Sequence, residues 1–97
     1  MKEIKLDFGN GRVEHIKLEE LPIEELKSTK NGTRIMISKP PEYGLNIVAL
    51  GKFSQYHSDS GYLSLCVEQK DKKINGVEYC YSERFKPIGE TFWREVL

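Results

Sequence analysis

Lys2-Glu3-Ile4-Lys5-Leu6-Asp7-Phe8, followed by Gly9-Asn10-Gly11, carries the pattern of a strand running into a turn. Ile4, Leu6 and Phe8 recur at every second position with Lys5 and Asp7 between them, the period of a strand with one apolar face. Gly9-Asn10-Gly11 tolerates positive φ, so the spacing predicts a hairpin turn. A second strand is expected over Arg12–Leu18, with a bulge or a twisted edge, because Val13 and Ile16 lie on opposite faces.

Working outward, the same alternation returns. Thr33–Ser38 opposes Ile35 and Ile37 to Arg34 and Met36, and Tyr62–Gln69 places Leu63, Leu65 and Val67 on one face. Leu45–Leu50 is apolar at nearly every position and is expected to be the most buried strand. Asn75-Gly76 is a strong hairpin signal; as a two-residue turn it pairs Ile74 with Val77 and Lys73 with Glu78, which sets Cys66 opposite Phe85. Two short helices complete the pattern. Leu21–Lys27 has Pro22 and two glutamates in its first turn, Asn31-Gly32 ends it, and Ile23 and Leu26 are expected against the sheet. Glu90–Leu97 is expected to be helical, with Phe92, Trp93, Val96 and Leu97 on one side. The composition agrees with a strand-rich chain: one alanine against thirteen Ile and Val and ten aromatics. The expected fold is mainly β (α+β), a small curled antiparallel sheet or barrel of about five to seven short strands. A single domain is expected over residues 1–97.

Fifteen basic residues balance fifteen acidic ones, so the net charge is zero. That excludes a strongly basic nucleic-acid binder and a polyanion mimic. The balance is uneven along the chain: residues 14–25 carry a net of −4 and residues 27–52 a net of +4, while nine of the ten aromatics lie at or beyond Tyr43. No apolar run is long enough to span a membrane and the N-terminus lacks an apolar leader, so a cytoplasmic protein is expected, with Cys66 and Cys80 as separate thiols. His57-Ser58-Asp59-Ser60 contains the residue types of a hydrolytic triad, but loop neighbours cannot align them, and no phosphate-cradling or nucleophile-elbow motif is present. His15, His57, Cys66 and Cys80 lack chelating pair spacings, so no metal and no cofactor are expected.

The residue types that anchor interfaces are Tyr and Arg, which makes Tyr56, Tyr79, Tyr81 and Arg84 the candidate partner-binding residues. Arg34, Lys39, Tyr43 and Lys52, basic residues near aromatics, are the candidates for a small anionic ligand or nucleic acid. An exposed edge over Arg12–Leu18 could also pair with a second copy of the chain. Finally, Val77-Glu78-Tyr79-Cys80-Tyr81-Ser82-Glu83-Arg84-Phe85-Lys86-Pro87-Ile88 resembles the closing hairpin of short phage- and prophage-encoded proteins, many with Src-homology-3-like barrels. The resemblance implies a mobile-element accessory protein of anti-defence type, acting stoichiometrically as an inhibitor of a host protein, as a sink for a small nucleotide signal, or on nucleic acid. The functional expectation is therefore a non-enzymatic binding protein for a host protein or small anionic ligand. The alternative is a small nucleic-acid-binding barrel.

Overall fold

The computed structural model describes residues 2–9, 11–39, 46–70, 73–74 and 80–97. Its strands are β1 (Lys2–Gly9), β2 (Arg12–Glu20), β3 (Arg34–Lys39), β4 (Asn46–His57), β5 (Tyr62–Lys70), β6 (Lys73–Ile74), β7 (Tyr81–Phe85) and β8 (Thr91–Glu95), with one 3-10 helix over Ile23–Ser28. All pairings are antiparallel, in the order β1-β2-β8-β3-β4-β5-β6, and β7 also pairs with β5. Among the described residues no pairing joins β1 to β6 or β7, so the structure is the curled open sheet rather than the closed barrel.

The central strands are buried on both faces. Ile35, Ile37, Ala49 and Phe92 belong to one apolar cluster, whereas Met36, Leu50 and Trp93, the alternate residues of the same strands, belong to a second. The first cluster is closed by Leu63, Leu65 and Val67 of β5 and by Leu21 and Leu26 around the 3-10 helix. The second is closed by Ile4, Leu6, Ile16 and Leu18 of the β1–β2 hairpin. The two ends of the sheet thus curl in opposite directions, each covering one face of the middle. Trp93 can be buried because its indole N–H donates to Ser38 Oγ at 2.9 Å.

Two-sided burial corrects three expectations. The C-terminal segment is strand β8 and not a helix: Phe92 and Trp93 are adjacent, both buried, and point into opposite clusters, which only extended backbone allows. The most buried strand is β3, where Ile35, Met36, Ile37 and Ser38 are all buried, while Ile47 and Val48 of β4 remain half-buried and Leu45 lies outside the described residues. In the 3-10 helix only Leu26 reaches the core; Ile23 is 52% exposed, because one short turn offers a single inward position. Gly32, at φ 91°, does not cap this helix but shapes the turn into β3, where its N–H donates to Phe53 O at 2.7 Å.

β4 is twelve residues long and its ladders break register between Ile37 and Ser38 on the β3 side, and between Leu50 and Gly51 and between Phe53 and Gln55 on the β5 side. Such breaks bend a strand and increase its twist, which carries β5 and β7 out of the plane of β3. Gly51 sits at the tightest point, where a Cβ would collide with the backbone carbonyl of Cys66. At this break the ladder passes from Leu50 opposite Gln69 to Gly51 opposite Val67, leaving Glu68 as the extra residue of β5.

Beyond Glu68 the expected register also fails. β6 folds straight back on β5, with Ile74 opposite Gln69 and Lys73 opposite Lys70. The ladder resumes with Val67 opposite Tyr81, so Cys66 faces Ser82, three residues from Phe85. Asn75-Gly76 itself lies outside the described residues. This shift brings Cys80 diagonally across from Cys66, and the two form a disulfide with Cα atoms 5.5 Å apart, in place of the separate thiols expected from sequence.

Candidate functional site

The hairpin covers only part of the second sheet face. Over β3, β8 and the first half of β4 that face is apolar and closed. Beyond Gly51 it continues across β4, β5 and β7, where among the described residues neither apolar cluster lies over it. The register places Lys52, Cys66 and Ser82 in one row there, and Ser64 and Arg84 in the next. His57 and Tyr62 follow at the end, with Lys86 just past β7. Lys52 and Arg84 are exposed, and the Lys86 ammonium lies 5.7 Å from the centre of the Tyr62 ring. Among the described residues no carboxylate is within ion-pair distance of Lys52, Arg84 or Lys86. The surface is a basic, aromatic-edged sheet face in a chain of zero net charge.

Its inner border is an ion cluster. The Arg34 guanidinium donates in bidentate fashion to Glu68 at 3.0 and 2.9 Å and to Glu14 at 2.6 Å, with Glu95 at 3.5 Å. Arg12 closes on the same Glu14 at 2.5 Å. The Glu68 side chain is 1% exposed and that of Arg34 11%, so the pair is removed from solvent. Burial alone would push the Glu14 carboxyl upward, but hydrogen bonds from Arg12 and Arg34 outweigh it and hold the group below its ordinary value. Burial likewise favours the neutral form of Arg34, and its hydrogen bonds to Glu14 and Glu68 reverse that and raise it. Arg34 therefore ties β2, β3, β5 and β8 together and presents little charge outward.

The remaining candidates scatter. Tyr56 is half-buried against the first cluster, on the opposite face from Arg84. It lines an open groove of about 500 Å³ with Lys27, Asn31 and Gln55. Tyr81, 42% exposed, lies at the head of β7 opposite Val67, on the same inner side but at the sheet edge. Lys39 is exposed at the far end of β3, opposite Asn46. Tyr43 and Tyr79 lie outside the described residues. Of the sequence candidates the fold thus brings Lys52 and Arg84 onto one face, with Tyr81 on the opposite face at the sheet edge. Lys86, Tyr62 and His57 complete the Lys52 and Arg84 face; the sequence signal was the basic residue two beyond Arg84, legible only once β7 was known to lie beside β5.

His57 ends β4 and its Nε2 is 2.8 Å from Ser64 Oγ, a spacing found between a base and a nucleophile. Ser64 is 7% exposed and sits in mid-strand between β4 and β7. The described residues hold no cluster of three or more His, Cys, Asp or Glu arranged to take a metal, and no helix long and apolar enough to cross a membrane.

Comparison with protein-family models, with characterised proteins and with solved structures finds no match to this chain.

Proposed function

We propose that the protein is a non-enzymatic binding module that engages an acidic partner protein through the open β4–β5–β7 face and the adjoining edge of β7. The observation that carries this reading is the set of three cations, Lys52, Arg84 and Lys86, left without carboxylate partners among the described residues while Arg34 close by is saturated. Charges of one sign gathered on a surface steer and select a partner of the other sign. Tyr81 and Arg84 supply the residue types that anchor interfaces, and among the described residues β7 pairs only with β5, so its other edge is where a partner strand would add. Action as an anti-defence factor of a mobile element rests on the closing-hairpin resemblance and is part of the same proposal.

Capture from a host lysate, read by mass analysis for wild type beside the Lys52→Glu/Arg84→Glu variant, tests it. The wild type is expected to retain an acidic protein that the variant loses; equal retention by both removes the reading. A second reading, single-stranded nucleic acid, is favoured by the Tyr62 ring lying beside Lys86. It requires binding to single-stranded DNA or RNA that weakens with salt, and no binding at low salt would dismiss it.

A further inference from the structure

We infer that the Cys66–Cys80 disulfide is a redox latch holding β7 on the sheet, so that the binding surface exists only in the oxidised protein; the functional half of this inference rests on the reading of that surface given above. β7 is the least anchored of the longer strands. Among the described residues it has one ladder neighbour, β5, and none of its five side chains is buried: Tyr81, Ser82 and Arg84 are exposed, Glu83 and Phe85 half-buried. Its other ties are Phe85 against the rim of the first cluster and a Glu83–Lys70 ion pair at 2.7 Å, with both side chains partly in solvent. Exposed pairs of that kind hold little. The strand it leans on is the opposite case. Leu63, Leu65 and Val67 are 0% exposed, and β5 is fixed by β4 along its length.

The disulfide joins these unequal strands. Cys66 lies in the middle of β5 and Cys80 immediately precedes β7. Both cysteines are half-buried. A dithiol reductant would act by thiolate attack on one sulfur, forming a mixed disulfide while the other sulfur departs and takes a proton. Its second thiolate then displaces the first cysteine, which is protonated in turn. The protein gains two electrons and two protons, and the reductant becomes its own disulfide. The reduced chain keeps both apolar clusters, since β7 contributes no buried residue to either. It loses the covalent bond that confines β7, and Tyr81, Arg84 and Lys86 lose their fixed positions. Local opening of a strand with few buried contacts is the expected response.

Residue-resolved amide hydrogen exchange on the full chain tests this, comparing the oxidised protein, the protein reduced with dithiothreitol, and a Cys66→Ser/Cys80→Ser variant. After reduction, and in the variant, the amides of Ser82–Phe85 are expected to exchange at least about tenfold faster, while those of β3 and β8 hold their rates. Unchanged exchange in β7 overturns the latch. So does loss of protection in β3 and β8 along with β7, which would make the disulfide a staple for the whole fold. The exchange readout needs no partner, so it separates the two claims. If β7 loosens and an acidic partner is still captured by the reduced protein, the latch stands and the surface reading fails. If β7 stays protected, the latch fails whatever is captured.

Discussion

The β1–β2 hairpin and strand β7 are both attached at the margins of one sheet, and they are attached by different physics. The hairpin lays Ile4, Leu6, Ile16 and Leu18 on Met36, Leu50 and Trp93, and its Glu14 reaches the buried Arg34. β7 buries no side chain and is held by backbone pairing and a disulfide. Apolar burial commits a segment to the core under all conditions that keep the protein folded, whereas a covalent tie can hold a segment whose side chains all remain available. The end of the molecule that gives up its surface to packing is the structural end. The end that keeps its surface is the one to which the proposed binding role is assigned.

Substitutions should separate the two ends by size of effect. The largest loss is expected at the border between them: Glu68→Ala leaves Arg34 buried with its bidentate partner gone, and urea unfolding should show a loss of about 3–5 kcal/mol. Leu18→Ala, at 0% exposure in the hairpin cluster, should cost about 2–5 kcal/mol by the same measurement. If the hairpin substitution cost less than about 1 kcal/mol, the attachment by burial described here would be wrong. Opening the Cys66–Cys80 disulfide should be read in β7 exchange more than in the global midpoint, because β7 contributes no buried residue to either cluster. Arg84→Ala, on an exposed position without a carboxylate partner among the described residues, should change stability by less than about 0.5 kcal/mol while weakening partner capture.

The last difference concerns pH. The folded-state value of Glu14 lies below its ordinary 4.5, so its contribution to stability is full above 4.5 and is lost as the pH falls through the lower, folded value. Acid should therefore loosen the Glu14–Arg34 tie between hairpin and sheet before it alters the β7 ladder, a sequence that amide exchange at successively lower pH would reveal. Simultaneous loss in both regions would contradict it.

Much of the fold is readable from local pattern, because β1 and β5 each show one apolar face in period two. The reading failed where a strand is buried on both sides. Phe92-Trp93 gives no alternation and reads as a helical stripe, and Met36, set with Arg34 opposite Ile35 and Ile37, anchors the second cluster. The candidate site was only partly legible for a different reason. Residue types singled out Lys52, Tyr81 and Arg84, but their mutual placement depends on the extra residue at Glu68 and on the immediate return of β6 onto β5. Those two features move the β7 register by three residues, and with it the partner of Cys66. Register is a long-range property that alternation constrains in phase and not in offset. Arg34 shows the same limit: as a sequence it is a cation among aromatics, and only the fold reveals the three carboxylates around it.

The central claim, that the open β4–β5–β7 face is the binding surface, is tested most directly by quantitative partner capture with Lys52→Glu/Arg84→Glu beside wild type, both oxidised and with matched thermal unfolding midpoints. The account predicts an acidic partner retained by wild type and reduced at least about tenfold by the charge-reversed face. The same partner, held equally by both proteins, would contradict it.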